Sequence, residues 1–149
     1  MELREPVERI LRHKGSQVHS VAPNVTVFEA LGMMAAHDVG ALVVMDGTDL
    51  LGIMSERDYA RKVILRDRSS KEMQVHEIMS APAVTVSPTA TVDECMQKMT
   101  AKRCRHLPVV DKGNVVGVVS IGDLVNWIIS AQDHTIHQLE DYIYGKYPA

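Results

Sequence analysis

The sequence predicts an α/β (α+β) fold built from two copies of one strand–helix–strand–strand–helix unit, packed as a pseudo-two-fold pair with flanking N- and C-terminal helices. The first observation is an internal repeat, since residues 21–58 and 86–123 align without a gap and 13 of the 38 aligned positions are identical. The second is that strand-like and helix-like apolar periods follow one another in the same order in both copies. Self-similarity at a fixed spacing of this kind defines the architecture.

Each copy is expected to open with a short strand, because β-branched residues are frequent at 18–21 and 83–86. A Thr followed three residues later by Glu then marks a helix start in both copies, at Thr26 and at Thr91. Apolar residues at spacings of three and four continue each pattern. An amphipathic helix is therefore predicted after each opening strand.

Two further strands and a closing helix are expected in each copy. Asp46-Gly47 and Asp111-Lys-Gly113 separate apolar, β-branched runs, which is a hairpin signal. The predicted strands are residues 42–45, 50–54, 107–110 and 115–119, and the predicted closing helices are residues 56–65 and 121–131.

The repeat spacing divides the chain into four parts. The expected N-terminal helical segment, first repeat, second repeat and C-terminal helical tail are residues 1–15, 16–75, 76–132 and 133–149. The N-terminal helix is expected over residues 6–13. A polar linker at 66–71 precedes a short predicted helix at 72–79, with Ser69 or Ser70 as its cap.

Composition argues against several classes of function. The net charge is −3 and the chain has one Trp and one Phe, so we expect no nucleic-acid partner. The absence of an 18-residue apolar run and of an apolar leader predicts a cytoplasmic protein without a membrane span. The seven His and the two cysteines, Cys95 and Cys104, lack metal-ligand spacing, so no metal site and two reduced thiols are expected.

A motif suited to ligand chemistry occurs twice, as GIMSERD at residues 52–58 and GVVSIGD at residues 117–123. A strand ends at a Ser there and a helix begins, so free N–H groups and the hydroxyl could bind a phosphate. The Asp three residues on could accept hydrogen bonds from the vicinal hydroxyls of a ribose, and the strand Gly would let a flat group approach the backbone. The alternative is that Ser-x-x-Asp is a helix-capping pair, and the two roles are compatible in different ligation states.

These features together resemble a tandem pair of CBS domains, named after cystathionine β-synthase. The resemblance rests on the repeated unit, the Pro-x-x-Thr-Val opening, the HLPVV strand at 106–110 and the twofold G-h-h-S-x-x-D motif, and it covers about residues 16–131. The stretch SERDYARK at 55–62 is similar to stand-alone CBS-pair proteins of bacteria and plant organelles. The resemblance implies a Bateman-type module that binds adenine nucleotides in two clefts between the repeats, with AMP favoured and ATP or NAD(H) as alternatives.

The resemblance also implies which residues line each cleft. The motif Asp would hold the ribose, the motif Ser would assist the phosphate, and the opening strand of the other repeat would contact adenine. One cleft is expected to use Arg105, His106, Val118, Ser120, Gly122 and Asp123, with Ser20, Ala22, Val39, Gly40 and Ala41 opposite. The other is expected to use Ile53, Ser55, Arg57 and Asp58, with Thr85, Ser87 and Cys104 opposite.

The cleft that contains Asp123 is expected to favour a monophosphate. The second copy has Arg-His at residues 105–106 where the first has Gly-Ala at 40–41, and an Arg beside a His at a strand start can grip a phosphate. The alternative for His106 is a histidine with ordinary hydrogen-bond partners in a strand.

The cleft that contains Asp58 is expected to accept a dinucleotide or a longer phosphate chain. Arg57 lies where the second copy has Gly122, and Arg61 and Lys62 follow on the same predicted helix. The alternative for this basic stretch is a solvated helix face.

Three classes of function remain. The first is a regulatory sensor that binds an adenine nucleotide and modulates a separate, unidentified protein. The second is a structural dimerisation module with vestigial clefts. The third, an enzyme, is disfavoured because no Ser–His–Asp arrangement, Walker A sequence or G-x-G-x-x-G occurs, and no catalytic residue is assigned. We prefer the sensor because both motif Asp residues are present, whereas capping alone could use Asn or Glu.

A homodimer is expected from apolar residues near the end of the chain. Trp127, Ile128 and Ile129 continue beyond the second repeat's motif, and they are followed by Tyr142, Tyr144 and Tyr147. Apolar side chains on a final helix need a partner surface to bury them.

Overall fold

The structure, a computed structural model, describes residues 2–143. The helices are α1 (Val7–Lys14), α2 (Val27–His37), α3 (Glu56–Tyr59), α4 (Val92–Lys102) and α5 (Ile121–Ile143). The strands are β1 (Ser20–Val21), β2 (Ala41–Asp46), β3 (Asp49–Ser55), β4 (His106–Asp111) and β5 (Asn114–Ser120). This arrangement confirms the predicted mixed α/β (α+β) fold with two repeats.

The hairpins of the two repeats have the same register. β2 pairs antiparallel with β3, and β4 pairs antiparallel with β5. Each pairing contains one register shift, between Val44 and Met45 in the first repeat and between Val109 and Val110 in the second. Because these shifts fall at aligned positions, the pseudo-symmetry extends to the irregularities of the sheets.

Helices α2 and α4 also begin and end alike. The hydroxyls of Thr26 and Thr91 each accept a hydrogen bond at 3.1 Å from the backbone N–H three residues on, as the sequence predicts. Each helix ends at a residue in the left-handed region, Asp38 or Arg103, with φ 53° in both cases. The chain therefore turns back toward its hairpin at the same point in each repeat.

The N-terminal segment completes the second repeat rather than the first. The Val7 N–H donates to the Ala90 carbonyl at 2.7 Å, and the Val92 N–H donates to the Glu5 carbonyl at 2.9 Å. Helix α1 is thereby fixed beside the start of α4, although the two helices are far apart in the sequence.

The segment between the repeats docks on the first repeat with the matching pair of bonds. The Val75 N–H donates to the Val25 carbonyl, and the Val27 N–H donates to the Met73 carbonyl, both at 2.8 Å. Each repeat thus packs against the segment that precedes the other repeat in the sequence. This exchange ties the two repeats together through backbone hydrogen bonds.

Two separate cores follow from the exchange. The core of the first repeat includes Met73, Val75 and Ile78 from the connecting segment. The core of the second includes Val7, Ile10 and Leu11 from α1, which are all buried. Full burial of one such side chain stabilises the fold by about 1.5–3 kcal/mol, so α1 is an integral part of the second repeat.

The two strand glycines, Gly52 and Gly117, face these docked segments. A Cβ added to Gly52 would lie 2.5 Å from the Ser80 carbonyl oxygen, and one added to Gly117 would lie 2.6 Å from a Leu11 methyl carbon. The protein's own chain occupies the space that the motif interpretation assigns to a flat ligand group. That part of the interpretation is therefore wrong, because the glycines are required by packing between segments.

Several predicted elements differ from the structure. The opening strand at 18–21 shortens to β1, which pairs parallel with β2. Its counterpart at 83–86 is reduced to one bridge, between Val86 and Val109. The predicted helix at 72–79 is a single 3-10 turn, Val75–Glu77, because its backbone is bonded to the first repeat. Neither Ser69 nor Ser70 is its cap, which is Gln74.

The closing helices differ from each other. In the first repeat, α3 continues as a π-helical turn, Ala60–Ile64, so the predicted helix at 56–65 is confirmed in extent but not in winding. In the second repeat, α5 continues unbroken into the segment that the sequence assigns to the tail. Residues 144–149 of that tail lie outside the described part of the chain.

Candidate functional site

Two clefts lie where the hairpins of the repeats face each other. The first, called the Asp123 cleft, has a volume of about 220 Å³. It is lined by Lys14, Gln17, His19, Asp38, Val39, Gly40, Ala41, His106, Val118, Ser120 and Asp123. The second, called the Asp58 cleft, has a volume of about 400 Å³. It is lined by Gly40, Ile53, Ser55, Glu56, Arg57, Asp58, Arg61, Lys62, Ser80, Arg103, Cys104, Arg105 and His106.

Gly40 and His106 line both clefts. A Cβ added to Gly40 would lie 3.6 Å from Nε2 of His106, so the imidazole packs directly over the glycine. The chain entries to β2 and β4 therefore meet between the clefts, and the His106 ring forms part of the wall that separates them.

The structure brings most of the predicted site residues to a cleft. In the Asp123 cleft these are Val39, Gly40, Ala41, His106, Val118, Ser120 and Asp123, and in the Asp58 cleft they are Ile53, Ser55, Arg57, Asp58 and Cys104. Arg105 lines the Asp58 cleft, whereas the sequence places it in the Asp123 cleft. Because His106 lines both clefts, the expected Arg-His pair lies together in the Asp58 cleft, whereas the Asp123 cleft has His106 without Arg105.

Five predicted residues lie outside the walls of both clefts: Ser20, Ala22, Thr85, Ser87 and Gly122. The opening segments that hold four of them are extended, and their side chains alternate between faces. His19 lines the Asp123 cleft in place of Ser20, so the expectation is displaced by one residue.

Sequence reasoning also missed residues that the structure places in the clefts. Lys14 comes from α1, and no sequence pattern shows that α1 lies against the second repeat. Asp38 and Arg103 could have been found, because they are aligned residues at the ends of α2 and α4 and line opposite clefts. Ser80 lines the Asp58 cleft because the connecting segment pairs with β3.

Among the side chains whose burial the structure describes, Asp58 is the sole buried charged one, with 8% exposure. Its Oδ2 accepts hydrogen bonds from the Ser55 N–H at 3.0 Å and the Ser55 hydroxyl at 3.1 Å. Its Oδ1 accepts a hydrogen bond from the Ser80 hydroxyl at 3.1 Å and lies 3.2 Å from the Lys62 ammonium. Donors from the chain therefore satisfy both carboxylate oxygens.

Asp123 is held differently. Its Oδ2 accepts from the Ser120 N–H at 2.8 Å and from the Lys14 ammonium at 2.6 Å, and Lys14 also donates to the Val118 carbonyl at 2.8 Å. Among the described residues, no hydrogen bond or ion pair reaches its Oδ1. One carboxylate oxygen in this cleft is therefore available to a ligand donor.

The capping alternative is realised at both motifs. The Asp58 N–H donates to the Ser55 hydroxyl and the Asp123 N–H donates to the Ser120 hydroxyl, each at 3.1 Å. Together with the return bonds to the Ser N–H groups, these are complete capping boxes. Each motif Ser and Asp thus fixes the start of α3 or α5 and presents a carboxylate at the wall of a cleft.

The clefts carry opposite charge when His is neutral. The Asp58 cleft contains Arg57, Arg61, Lys62, Arg103 and Arg105 against Glu56 and Asp58. The Asp123 cleft contains Lys14 against Asp38 and Asp123. Anions are therefore favoured in the Asp58 cleft, and hydroxyl donors are favoured at the carboxylates of the Asp123 cleft.

His106 should make the stability of the fold sensitive to acid. Burial lowers the pKa of His106 from its usual 6.5; Asp123 and Asp58 oppose this change, whereas Lys14 and Arg105 add to it. In the unfolded chain this histidine takes up a proton near pH 6.5, whereas in the folded chain it does so only at lower pH. The stability that depends on neutral His106 is therefore fully present above pH 6.5 and is lost as the pH falls below it. When the pH is lowered from about 7.5 to about 5.5, we expect the Tm of His106→Gln to fall less than the Tm of the native chain.

The control for this prediction is His76→Gln, which changes an exposed histidine outside both clefts. His19 is left intact in both variants, because burial and His37 also lower its pKa. Equal acid sensitivity of His106→Gln and His76→Gln would show that His106 does not carry the effect.

The described residues contain no group of three or more His, Cys, Asp and Glu placed to hold a metal ion. Between residues 2 and 143, no helix is both long and apolar enough to cross a membrane. Cys95 and Cys104 are free thiols, and burial raises the pKa of Cys95 to about 11.

The fold and the clefts define a class of protein: a pair of homologous α/β repeats with one charged cleft on each side of their interface. The chain belongs to the CBS-domain family, whose family model matches residues 7–65 and 75–130. CBS-domain pair proteins are in general regulatory modules. The resemblance seen in the sequence is thereby confirmed.

Relatives with known names or structures agree with this assignment. The chain is 42% identical over 127 residues to the mitochondrial CBS domain-containing protein CBSX3 of Arabidopsis thaliana, covering 82% of this chain and 62% of that protein. It is 37% identical over 109 residues to YhcV of Bacillus subtilis, covering 73% of this chain and 77% of that protein. A CBS-domain structure from Burkholderia ambifaria is 48% identical with a TM-score of 0.81, covering 85% of this chain and 96% of that one.

Proposed function

We propose that this chain is an adenine-nucleotide-binding regulatory module that responds to its ligand and modulates a separate protein. Membership of the CBS-domain family supports a regulatory role, since such proteins commonly bind small ligands. The proposal adds the class of ligand, the cleft that holds its nucleoside and the mode of action.

The observation that carries the proposal is the state of Asp123 at the wall of its cleft. Its Oδ2 is held by Ser120 and Lys14, while Oδ1 has no partner within the described residues. A ribose offers two vicinal hydroxyls, which a carboxylate can accept on its two oxygens. Lys14 would leave Oδ2 as the ribose arrives, and its ammonium would then be close enough to attract the phosphate.

AMP fits this cleft better than a longer nucleotide. The volume of about 220 Å³ is small for a ligand site, and Lys14 is its single Lys or Arg within the described part of the chain. ATP carries more phosphate charge than AMP beside the same single ammonium, and NAD(H) would add a second nucleoside to a cleft of this volume. Both remain alternatives for a ligand that extends beyond the cleft.

Regulation would follow from the position of the ligand between the repeats. Residues 38–41 of the first repeat and Val118, Ser120 and Asp123 of the second line the same cleft. A nucleotide that binds one relative orientation of the repeats more tightly shifts the population toward it. The partner that reads this change is a separate protein of unidentified nature.

The alternative function is a structural dimerisation module whose clefts bind nothing. The specific observation in its favour is that both Ser-x-x-Asp motifs already serve as complete capping boxes. On this alternative Lys14 and Lys62 neutralise the two carboxylates permanently.

A panel of ligands distinguishes the two functions. The full chain is heated with AMP, ADP, ATP, NAD⁺, NADH, S-adenosylmethionine or adenosine, and Tm is recorded. Ligand present at about a hundredfold over its Kd stabilises the fold by about 2.7 kcal/mol, so we expect a clear rise in Tm with AMP. No rise with any adenine compound at saturating concentration would favour the structural module.

We also propose that the chain forms a homodimer through α5. Val125 and Ile129 are exposed one turn apart on this helix, and Leu139 and Ile143 are exposed further along it. Light scattering after size exclusion should give twice the chain mass. Val125→Glu with Ile129→Glu should give the mass of one chain without lowering the affinity for AMP.

A further inference from the structure

The Asp58 cleft contains a concentration of unpaired positive charge. Four guanidinium groups line it, those of Arg57, Arg61, Arg103 and Arg105. Within the described residues none of the four forms an ion pair with a carboxylate. The fifth cation, Lys62, is already paired with Asp58. The four arginines therefore create a positive potential that Glu56 alone opposes.

These arginines come from both repeats, and the fold fixes the backbone positions from which they extend. Arg57 and Arg61 lie on α3 and its π-helical continuation, one turn apart. Arg103 is the left-handed residue that ends α4, and its carbonyl accepts a hydrogen bond from the Arg57 guanidinium at 3.4 Å. The Arg105 carbonyl accepts from the Ile121 N–H at 2.8 Å, which fixes the entry to β4.

Asp58 is unsuited to ribose recognition in this arrangement. Both of its oxygens are satisfied by Ser55, Ser80 and Lys62, and the residue is buried. A ribose would have to displace the Ser80 hydroxyl and the Lys62 ammonium together. The carboxylate thus caps α3 and holds Lys62 in place, while the surrounding arginines remain free to bind an anion.

We propose that the Asp58 cleft is a binding site for a di- or triphosphate chain, recognised by its phosphates and independent of a ribose. Guanidinium groups form bidentate, charge-assisted hydrogen bonds to phosphate, and four of them match the several negative charges of such a chain. The cavity of about 400 Å³ is within the ordinary range for ligand sites. The chain could be inorganic or the tail of a nucleotide, since the recognised chemistry is the same.

The inference deepens the proposed function, because it divides the two clefts between nucleoside and phosphate chain, but it does not depend on nucleotide binding elsewhere. Calorimetry of the full chain with inorganic tripolyphosphate, pyrophosphate, orthophosphate, ATP and adenosine tests it. We expect tripolyphosphate to bind with one site per chain, more tightly than orthophosphate, and adenosine not to compete with it. Competition between ATP and tripolyphosphate would identify the nucleotide tail as a second source of the same ligand chemistry.

The deciding variant is Arg61→Gln with Arg105→Gln, which removes one guanidinium from each repeat. The matched control is Arg12→Gln with Arg66→Gln, which removes the same charge from exposed positions outside the cleft. We expect tripolyphosphate affinity to fall about tenfold or more in the first variant, since each charge-assisted hydrogen bond is worth roughly that factor. The control should lose less than about twofold, and both variants should keep the native Tm within a few degrees.

The failures of the two proposals are distinguishable. Binding of AMP without binding of tripolyphosphate would overturn the phosphate-chain site and leave the proposed function standing. Binding of tripolyphosphate with no binding of any adenine compound would overturn the proposed function and leave the phosphate-chain site standing. Equal losses in the cleft variant and the control would overturn the site, because they would show attraction by general surface charge alone.

Discussion

Gly52→Ala should destabilise the protein by about 2–3 kcal/mol, whereas Gly117→Ala should cost about 1 kcal/mol. The added methyl at position 52 would meet the Ser80 backbone oxygen at 2.5 Å. It would push β3 away from the connecting segment, to which β3 is joined by two backbone hydrogen bonds between Ile53 and Ser80. At position 117 the obstacle is the end of the Leu11 side chain, which can rotate away more easily.

Equilibrium unfolding in urea measures both costs, and Gly32→Ala provides the control. Gly32 lies in α2, and a methyl group added there would have no heavy atom within 4 Å, so the change should stabilise the helix by about 0.5–1 kcal/mol. A smaller cost at Gly52 than at Gly117 would contradict the packing account of the strand glycines.

Asp123→Ala should weaken AMP binding about 100-fold, and Asp58→Ala should weaken it by less than about tenfold. Loss of Asp123 removes a carboxylate that can accept both ribose hydroxyls. Asp58 is already occupied by Ser80, Lys62 and Ser55, so its loss removes no ligand acceptor from the folded chain. Calorimetric titration of AMP into each variant measures the difference.

Loss of the cap is a separate effect that a second variant controls. Asp123→Asn retains an oxygen for the Ser120 N–H, so α5 should begin normally, yet the amide can no longer accept from two hydroxyls. We expect the free energy of unfolding of Asp123→Asn to lie within about 1 kcal/mol of the native value. The variant should nevertheless lose most of its affinity for AMP. Equal losses in the Asp58 and Asp123 variants would refute the division of roles between the clefts.

The fold could be predicted in outline because its signals are local and occur twice. Thr26 and Thr91 mark helix starts by a hydroxyl that caps within three residues, and the hairpins follow from turn residues between β-branched runs. The exchange of the leading segments could not be predicted, because backbone hydrogen bonds such as Val7 to Ala90 leave no side-chain pattern. The π-helical turn after α3 likewise has no sequence signal that we recognised.

The clefts were predictable in composition but not in detail. Asp58 and Asp123 could be identified because each lies at a repeated helix start. Lys14 was missed because its position depends on the docking of α1, and Arg105 was expected in the other cleft because the sequence does not show which side of the entry to β4 its side chain faces. The charge of each cleft therefore required the three-dimensional structure.

A crystal structure of the full chain grown with saturating AMP tests the central claim most directly. The account predicts one nucleotide in the Asp123 cleft, with its ribose hydroxyls on both oxygens of Asp123 and the Lys14 ammonium moved from Oδ2 toward the phosphate. AMP bound outside the Asp123 cleft, or bound with the Lys14–Asp123 pair intact, would contradict it.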